Sequence, residues 1–345
     1  MSEAILIISG ISAVRFWLDY TSRINPSVYS YEKCKRVALP ENCRAISSPP
    51  LIRMIAFGLG LSLPLNVMVP SGAPRHSSKV IKYSSASRHM PADSFVKLDP
   101  LDLPFEFSKA GADIYVASPE YCFLAFANKL PLALLVELGC NLCAGYAYSQ
   151  ESELEQVFRE PVTKAEMIAD YVAASRRNAG YRKASRAVRF ICDGSNSPME
   201  TKLAVMSVLP LFEGGYGLPH PVLNKDIILS REAAAALGRD SCSCDMVWEA
   251  SRVVMEYDSN LTHLGTSQHG YDKSKANALG DSGYKLITIT AENTKTIGAL
   301  DLSFDSLRRR LKVKSRRAEM NRYYHVRRNI HRILIRINRK PFLLI

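Results

Sequence analysis

Two short apolar runs that end in carboxylates constrain this chain more than any other feature. Asp245-Met-Val-Trp248 is followed, after a turn, by Val253-Val-Met-Glu256-Tyr-Asp258. Side chains alternate along a strand, so Val254, Glu256 and Asp258 share one face and Val253, Met255 and Tyr257 the other. A two-residue turn at Ala250-Ser251 joins the runs as a hairpin. In that register Glu249 faces Arg252, and counting outward places Asp245 opposite Glu256. Opposed residues have Cβ atoms roughly 5 Å apart. Two like charges at that spacing need a cation, a proton or solvent. Mg2+ takes oxygen ligands, usually one or two carboxylates with water and substrate phosphate. The competing reading is two carboxylates at wet strand ends.

The flanking segments supply a fold around this hairpin. Ser197-Pro-Met-Glu200 precedes the apolar stretch Leu203–Leu209. Ser at the N-cap, Pro at the first helical position and Glu at the third make a capping box. That accounts for Glu200 without any chemistry, and a catalytic role requires its helix to pack beside the hairpin. Residues 260–268, with His263, read as a loop. Residues 271–280 read as a helix with Asp272, Lys273 and Lys275 on its polar side. Tyr284-Lys-Leu-Ile-Thr-Ile-Thr290 is a β-branched strand. Taken alone, His263 is an ordinary polar loop residue and Lys275 a solvated helix charge. The order of elements suits a small mixed sheet flanked by helices.

Ser197-Pro-Met-Glu200, Asp245-Met-Val-Trp248, Glu256-Tyr-Asp258, His263, Asp272 and Gly283-Tyr284 together resemble the family related to very-short-patch-repair endonucleases. That family belongs to the PD-(D/E)xK nuclease superfamily, and the resemblance spans roughly residues 195–295. It implies a restriction-endonuclease-like domain that hydrolyses DNA phosphodiester bonds with Mg2+ or Mn2+. It makes Glu200 the helix carboxylate, Asp245 the first strand ligand and Glu256 the second. Asp258 stands where the usual pattern has Lys. Relatives with Glu-x-Asp also lack that Lys, which leaves Lys275 or His263 to support the attacking water. The implied catalytic set is Glu200, Asp245, Glu256, Asp258, His263 and Lys275, with the metal on Asp245 and Glu256. The alternative is a non-catalytic regulator that keeps such a fold and binds nucleic acid or a toxin partner.

The basic charge is confined to the C-terminal tail. Of 45 Lys and Arg in the chain, 14 lie in residues 306–345, beside a single acid, Glu319. The remainder is close to neutral. Arg308, Arg309, Arg310, Lys312, Lys314, Arg316, Arg317, Arg327 and Arg328 are the candidate phosphate contacts, because Lys and Arg neutralise phosphates and release counterions. Enough Ile, Leu and Tyr are interspersed for helices. An amphipathic helix on an anionic membrane and a tail docked on its own protein are the competing readings. No repeated base-reading motif is visible, so affinity would be backbone-driven.

The first half offers structure more than chemistry. Residues 12–18 read as an amphipathic helix, Leu65–Val69 and Val80–Tyr83 as strands, and Phe105–Phe107 and Ile114–Val116 as further extended pieces. Ser118-Pro-Glu120 starts a helix by the same cap logic as Ser197, and Leu132–Leu142 forms another. Ser12-Ala13, Val67-Met-Val-Pro70 and Ala117-Ser-Pro-Glu120 with Leu124-Ala125 resemble the AbiE-type abortive-infection antitoxins. That resemblance implies a phage-defence or toxin–antitoxin setting. A basic segment from Arg176 to Arg189 precedes the boundary, set near Asp193-Gly194. The expected organisation is an N-terminal α+β region over 1–190, a nuclease-like domain over 194–300 and a basic helical tail over 306–345.

Cys140-x-x-Cys143 has no second CxxC, and Cys242-x-Cys244 has no partner at zinc spacing. The eight cysteines therefore read as reduced thiols of a cytoplasmic protein. The N-terminus lacks signal-peptide form. Residues 51–69 contain Arg53, Pro64 and Asn66 and read as a buried helix and strand rather than a membrane span.

Overall fold

The computed structural model describes residues 4–20, 29–38, 44–46, 48–69, 76–87, 89–99, 112–149, 156–258, 266–314 and 317–337. It is a mixed α/β protein with three sheets and thirteen α-helices among those residues. The chain divides into two compact units, Met1–Arg189 and Phe190–Arg339. The division falls a few residues before the boundary expected at Asp193-Gly194.

The first unit contains β1 (Ala4–Ile8), α1 (Gly10–Leu18), β2 (Asp19–Tyr20), β3 (Arg36–Val37), β4 (Arg44–Ala45), α2 (Pro49–Gly58), β5 (Leu65–Val69), β6 (Ile81–Ser85), β7 (Phe95–Lys97) and β8 (Ala112–Ala117). These are followed by α3 (Pro119–Phe126), α4 (Leu132–Leu142), β9 (Tyr146–Ser149), β10 (Gln156–Phe158), α5 (Ala165–Ala174) and α6 (Tyr181–Ala187). Its main sheet has the order β3-β7-β8-β1-β5-β6, with β4 also on β1, and a second sheet has the order β10-β9-β2. Strand β1 lies inside the main sheet, parallel to β8 and antiparallel to β5. Ile5, Leu6, Ile7 and Ile8 are all buried. An unbroken apolar run with no alternation is what a strand covered on both faces requires. The expected elements at 12–18, 65–69, 80–83, 114–116, 118–126 and 132–142 are all present. Residues 105–107 lie outside the described residues.

The second unit contains α7 (Pro198–Val208), β11 (Val222–Ile228), α8 (Arg231–Leu237), β12 (Ser241–Trp248), β13 (Val253–Asp258), α9 (Thr266–Asp281), β14 (Lys285–Thr290), α10 (Ala291–Thr294), α11 (Ile297–Arg310), α12 (Arg317–Arg322) and α13 (Tyr324–His331). A π-helical turn, Arg332–Ile337, closes it. Its sheet has the order β11-β12-β13-β14. Strands β11, β12 and β13 are antiparallel neighbours, whereas β13 and β14 are parallel. Parallel neighbours need a crossover, and α9 supplies it. Helices α8 and α9 cover one core with Ile227, Cys242, Cys244, Val247, Val254, Ala278 and Leu279.

The basic tail is part of this unit rather than a separate domain. Leu307, Leu311, Met320, Ile330 and Leu334 are buried, and so are Arg308 and Arg327. Arg327 grips Asp301 through Nε at 2.7 Å and Nη2 at 3.2 Å. Tyr216 donates its hydroxyl to the same carboxylate at 2.7 Å and stacks on Phe304, ring centroids 3.9 Å apart. Arg308 donates to the Tyr216 carbonyl. The tail packs this closely because residue 214 is glycine: a Cβ there would meet Ile330 at 2.8 Å. Gly215 lets its own loop close on Leu209, whose carbonyl oxygen a Cβ would meet at 2.1 Å. Among the described residues no helix is long and apolar enough to cross a membrane.

Candidate active site

The hairpin forms in the register derived from spacing. Trp248 pairs with Val253, Val247 with Val254 and Met246 with Met255. The next step outward is Asp245 and Glu256. The turn differs from the expected one. Glu249–Ser251 is a 3-10 turn, and Arg252 follows it with φ +49°. Arg252 donates its N–H to the Glu249 carbonyl at 2.9 Å, so four residues rather than two connect the strands.

Backbone pairing stops at Met246 because the Asp245 side chain replaces it. Asp245 Oδ2 accepts the Tyr257 N–H at 2.7 Å. Strict alternation would put Cys244 and Val247 on opposite faces, yet both pack into one core. The alternation therefore slips between them, at Asp245. Its neighbour across the β11 ladder, bracketed by the pairs Leu223–Met246 and Lys225–Cys244, is Asn224, with φ +46°.

Glu256 stands on β13 beside Thr288 of β14. Its Oε2 accepts from Lys275 Nζ at 2.9 Å, and both side chains are more than four-fifths buried. Its Oε1 is buried and has no hydrogen-bond partner among the described residues. Lys275 comes from α9, the crossover helix, so the β13-α9-β14 connection itself delivers the cation to the carboxylate. Burial pulls the Lys275 ammonium down, but Glu256 more than reverses this, helped by Cys244 and Asp245, and the net shift is upward.

Glu200 completes the arrangement. It is buried at the start of α7, which packs against β12. Ser197 Oγ accepts the Glu200 N–H at 3.2 Å, as the expected cap requires. The carboxylate does not return to the Ser197 N–H. Its Oε2 accepts the Asn196 N–H at 2.9 Å and Asn224 Nδ2 at 2.7 Å. Burial first, then the charges of Glu256 and Glu200, push the Asp245 carboxyl from its ordinary 3.8 to about 7. The Tyr257 N–H and Lys275 oppose that rise. Glu200 thus caps its helix and also lies within electrostatic reach of Asp245.

Asp258, the last residue of β13, pairs in register with Thr290. His263 and Arg316 lie outside the described residues. Arg317 begins α12. Arg308 and Arg327 belong to the interior, which withdraws them from any phosphate. Arg310 is half-buried and donates to the Leu286 carbonyl at 2.6 Å. Arg309, Lys312, Lys314 and Arg328 are exposed. Asn224, the partner of Glu200, was not identified by spacing. Its signal was weak: an Asn inside a β-branched run, the residue type that best tolerates a left-handed backbone after Gly.

Two carboxylates with one orphaned oxygen suit a hard divalent ion, since Mg2+ is commonly held by one or two carboxylates and completes its shell with water and phosphate. Among the described residues no three His, Cys, Asp or Glu side chains converge at metal-binding spacing. Asp245 and Glu256 are the pair that could hold one. The seven described cysteines are free thiols. Burial and the Glu256 charge push the Cys244 thiol up, which keeps it neutral beside the pair. Compared with family models, curated proteins and solved structures, the chain matches none.

Proposed function

We propose that the second unit is a PD-(D/E)xK-type nuclease domain that hydrolyses DNA phosphodiester bonds with Mg2+ or Mn2+ held by Asp245 and Glu256. The observation that carries this reading is the triangle of Asp245, Glu256 and Lys275 where β12 and β13 part. Two acids and a lysine gathered at a strand divergence contribute little to packing, since each buried charge costs desolvation.

Asp245 and Glu256 would hold the metal, which would supply a lowered pKa for a ligated water and charge stabilisation at the phosphate. The chain's own residues do the rest. Lys275 holds Glu256 in one rotamer and presents its remaining N–H groups to an attacking water. Glu200 adds negative charge behind Asp245 and favours cation binding. The water oxygen bonds to phosphorus and gives up a proton to solvent, one P–O ester bond breaks, and the leaving sugar oxygen takes a proton from solvent. Arg309, Lys312, Lys314 and Arg328 neutralise backbone phosphates without reading sequence.

A second reading is supported by Asp258 at the position of the usual Lys and by the closed Lys275–Glu256 pair. It is a non-catalytic regulator that binds nucleic acid or a toxin partner in a phage-defence setting. The two separate in one experiment. The full chain is incubated with supercoiled and single-stranded DNA in Mg2+, Mn2+ or EDTA, beside Asp245→Ala and Glu256→Ala. Metal-dependent cleavage lost in both variants, with binding kept, supports the nuclease. Binding without cleavage in any metal supports the regulator.

A further inference from the structure

The first unit holds a cavity of 480 Å3, a size ordinary for a small-ligand site. Its lining divides by chemistry. One side is cationic and hydroxylic: Lys82 and Ser84 on β6, Lys129 after α3, and Ser9 and Gly10 where β1 enters α1. The other side presents Met68, Tyr121 and Phe126. Among the described residues no Asp or Glu lines it.

The cations lack an acidic partner among the described residues. Lys129 Nζ sits 4.8 Å above the Phe126 ring, and neither Lys82 nor Lys129 makes an ion pair among the described residues. Two like charges facing one cavity without a counter-charge repel each other. Ser9 is buried and makes no cap bond to α1, and its Oγ lies 3.2 Å from Ser84 Oγ instead. The Ser9 hydroxyl therefore caps none of the first amides of α1, and amides at a helix start favour negative charge. An anion would offset the lysines and meet these donors. The aromatic side would take a flat ring.

We propose that this cavity binds a nucleoside phosphate, with its phosphates among Lys82, Lys129, Ser9 and Ser84 and its base against Met68 and Tyr121. The site is independent of the nuclease reading, because all of its residues belong to the first unit.

Calorimetric titration of the full chain in EDTA with ATP, adenosine and tripolyphosphate tests it. ATP should bind, and Lys82→Glu with Lys129→Glu should weaken it by roughly tenfold or more, as loss of two charge-assisted contacts implies. Arg309→Ala with Lys312→Ala and Lys314→Ala, in the other unit, should leave ATP affinity unchanged. A thermal melt checks that the double variant is folded. If it is not, Ser84→Asp at an exposed position carries the same expectation. The proposal is overturned by no ATP binding at millimolar concentration, by equal affinity in the charge-reversed protein, or by tripolyphosphate binding as tightly as ATP.

Discussion

Lys275 Nζ lies 2.9 Å from Glu256 Oε2, while the other oxygen of that carboxylate is buried with no partner among the described residues. A half-satisfied buried carboxylate is costly. The ion pair recovers part of the cost, and the orphaned oxygen is what a cation would complete. Lys275→Ala should therefore reduce cleavage by about 10²-fold or more, in the range for loss of one preorganised hydrogen-bond donor. It should also raise the Asp245 pKa further, because Lys275 holds it down. The pH–rate profile reads both effects. A profile unchanged in shape would remove Lys275 from the site.

Asp245 makes stability depend on pH in a direction opposite to that of an ordinary salt-bridged carboxylate. Its folded pKa of about 7 lies above the ordinary 3.8. The protonated acid is tolerated, so its contribution is complete below about pH 4 and is lost as the pH rises through 7. The loss is on the order of 4 kcal/mol once the group is fully ionised. Asp245→Asn should raise Tm by several degrees at pH 8 and leave it nearly unchanged at pH 4.5. Mg2+ should stabilise the parent at pH 8 and not the Asn variant. Thermal melts at the two pH values check this, and equal Tm changes at both would refute the assignment.

Asn224 serves Glu200 in two ways, through its amide and through its left-handed backbone. Asn224→Gly keeps the backbone and loses the 2.7 Å bond, which should cost about 1.5–3 kcal/mol because the acceptor is charged. Asn224→Val should cost roughly 1–2 kcal/mol more, since a β-branched residue resists positive φ. Chemical denaturation of the two variants orders them. If Glu200 acts only as a helix cap, kcat in Asn224→Gly will match the parent.

The tail separates into residues that hold the fold and residues that face solvent. Arg327→Ala leaves the Asp301 carboxylate in a buried setting and should destabilise the second unit by about 3–5 kcal/mol. Arg309→Ala, Lys312→Ala and Lys314→Ala should each change stability by less than about 0.5 kcal/mol. Together they should flatten the salt dependence of DNA binding, the slope falling by about 0.9 per lost phosphate contact. Deleting residues 306–345 would confound the two effects, because it removes Arg308 and Arg327 from the interior. An unchanged salt slope in the triple variant would assign the exposed tail charges to something other than phosphate.

What the sequence determined by itself is local and periodic. The pairing of the two runs at 245–248 and 253–258 followed from counting, because strand register is a two-residue period closed by a short turn. The Ser197 and Ser118 caps were legible because capping is a contact between residues three apart. Strand β1 was not recognised, because a four-residue apolar run buried on both faces has no periodicity to read. The candidate site was legible as a set of residue types and not as an arrangement. Lys275 reads as a solvated charge on a polar helix face, and only the packing of α9 across β13 and β14 turns it onto Glu256. Arg308 and Arg327 read as members of one basic tail, and only the fold around Asp301 and Tyr216 separates them from the arginines that remain in water. Charge is written in the sequence. Where a charge is desolvated, and by what it is answered, depends on contacts between residues far apart in the chain, and the tertiary structure alone decides those.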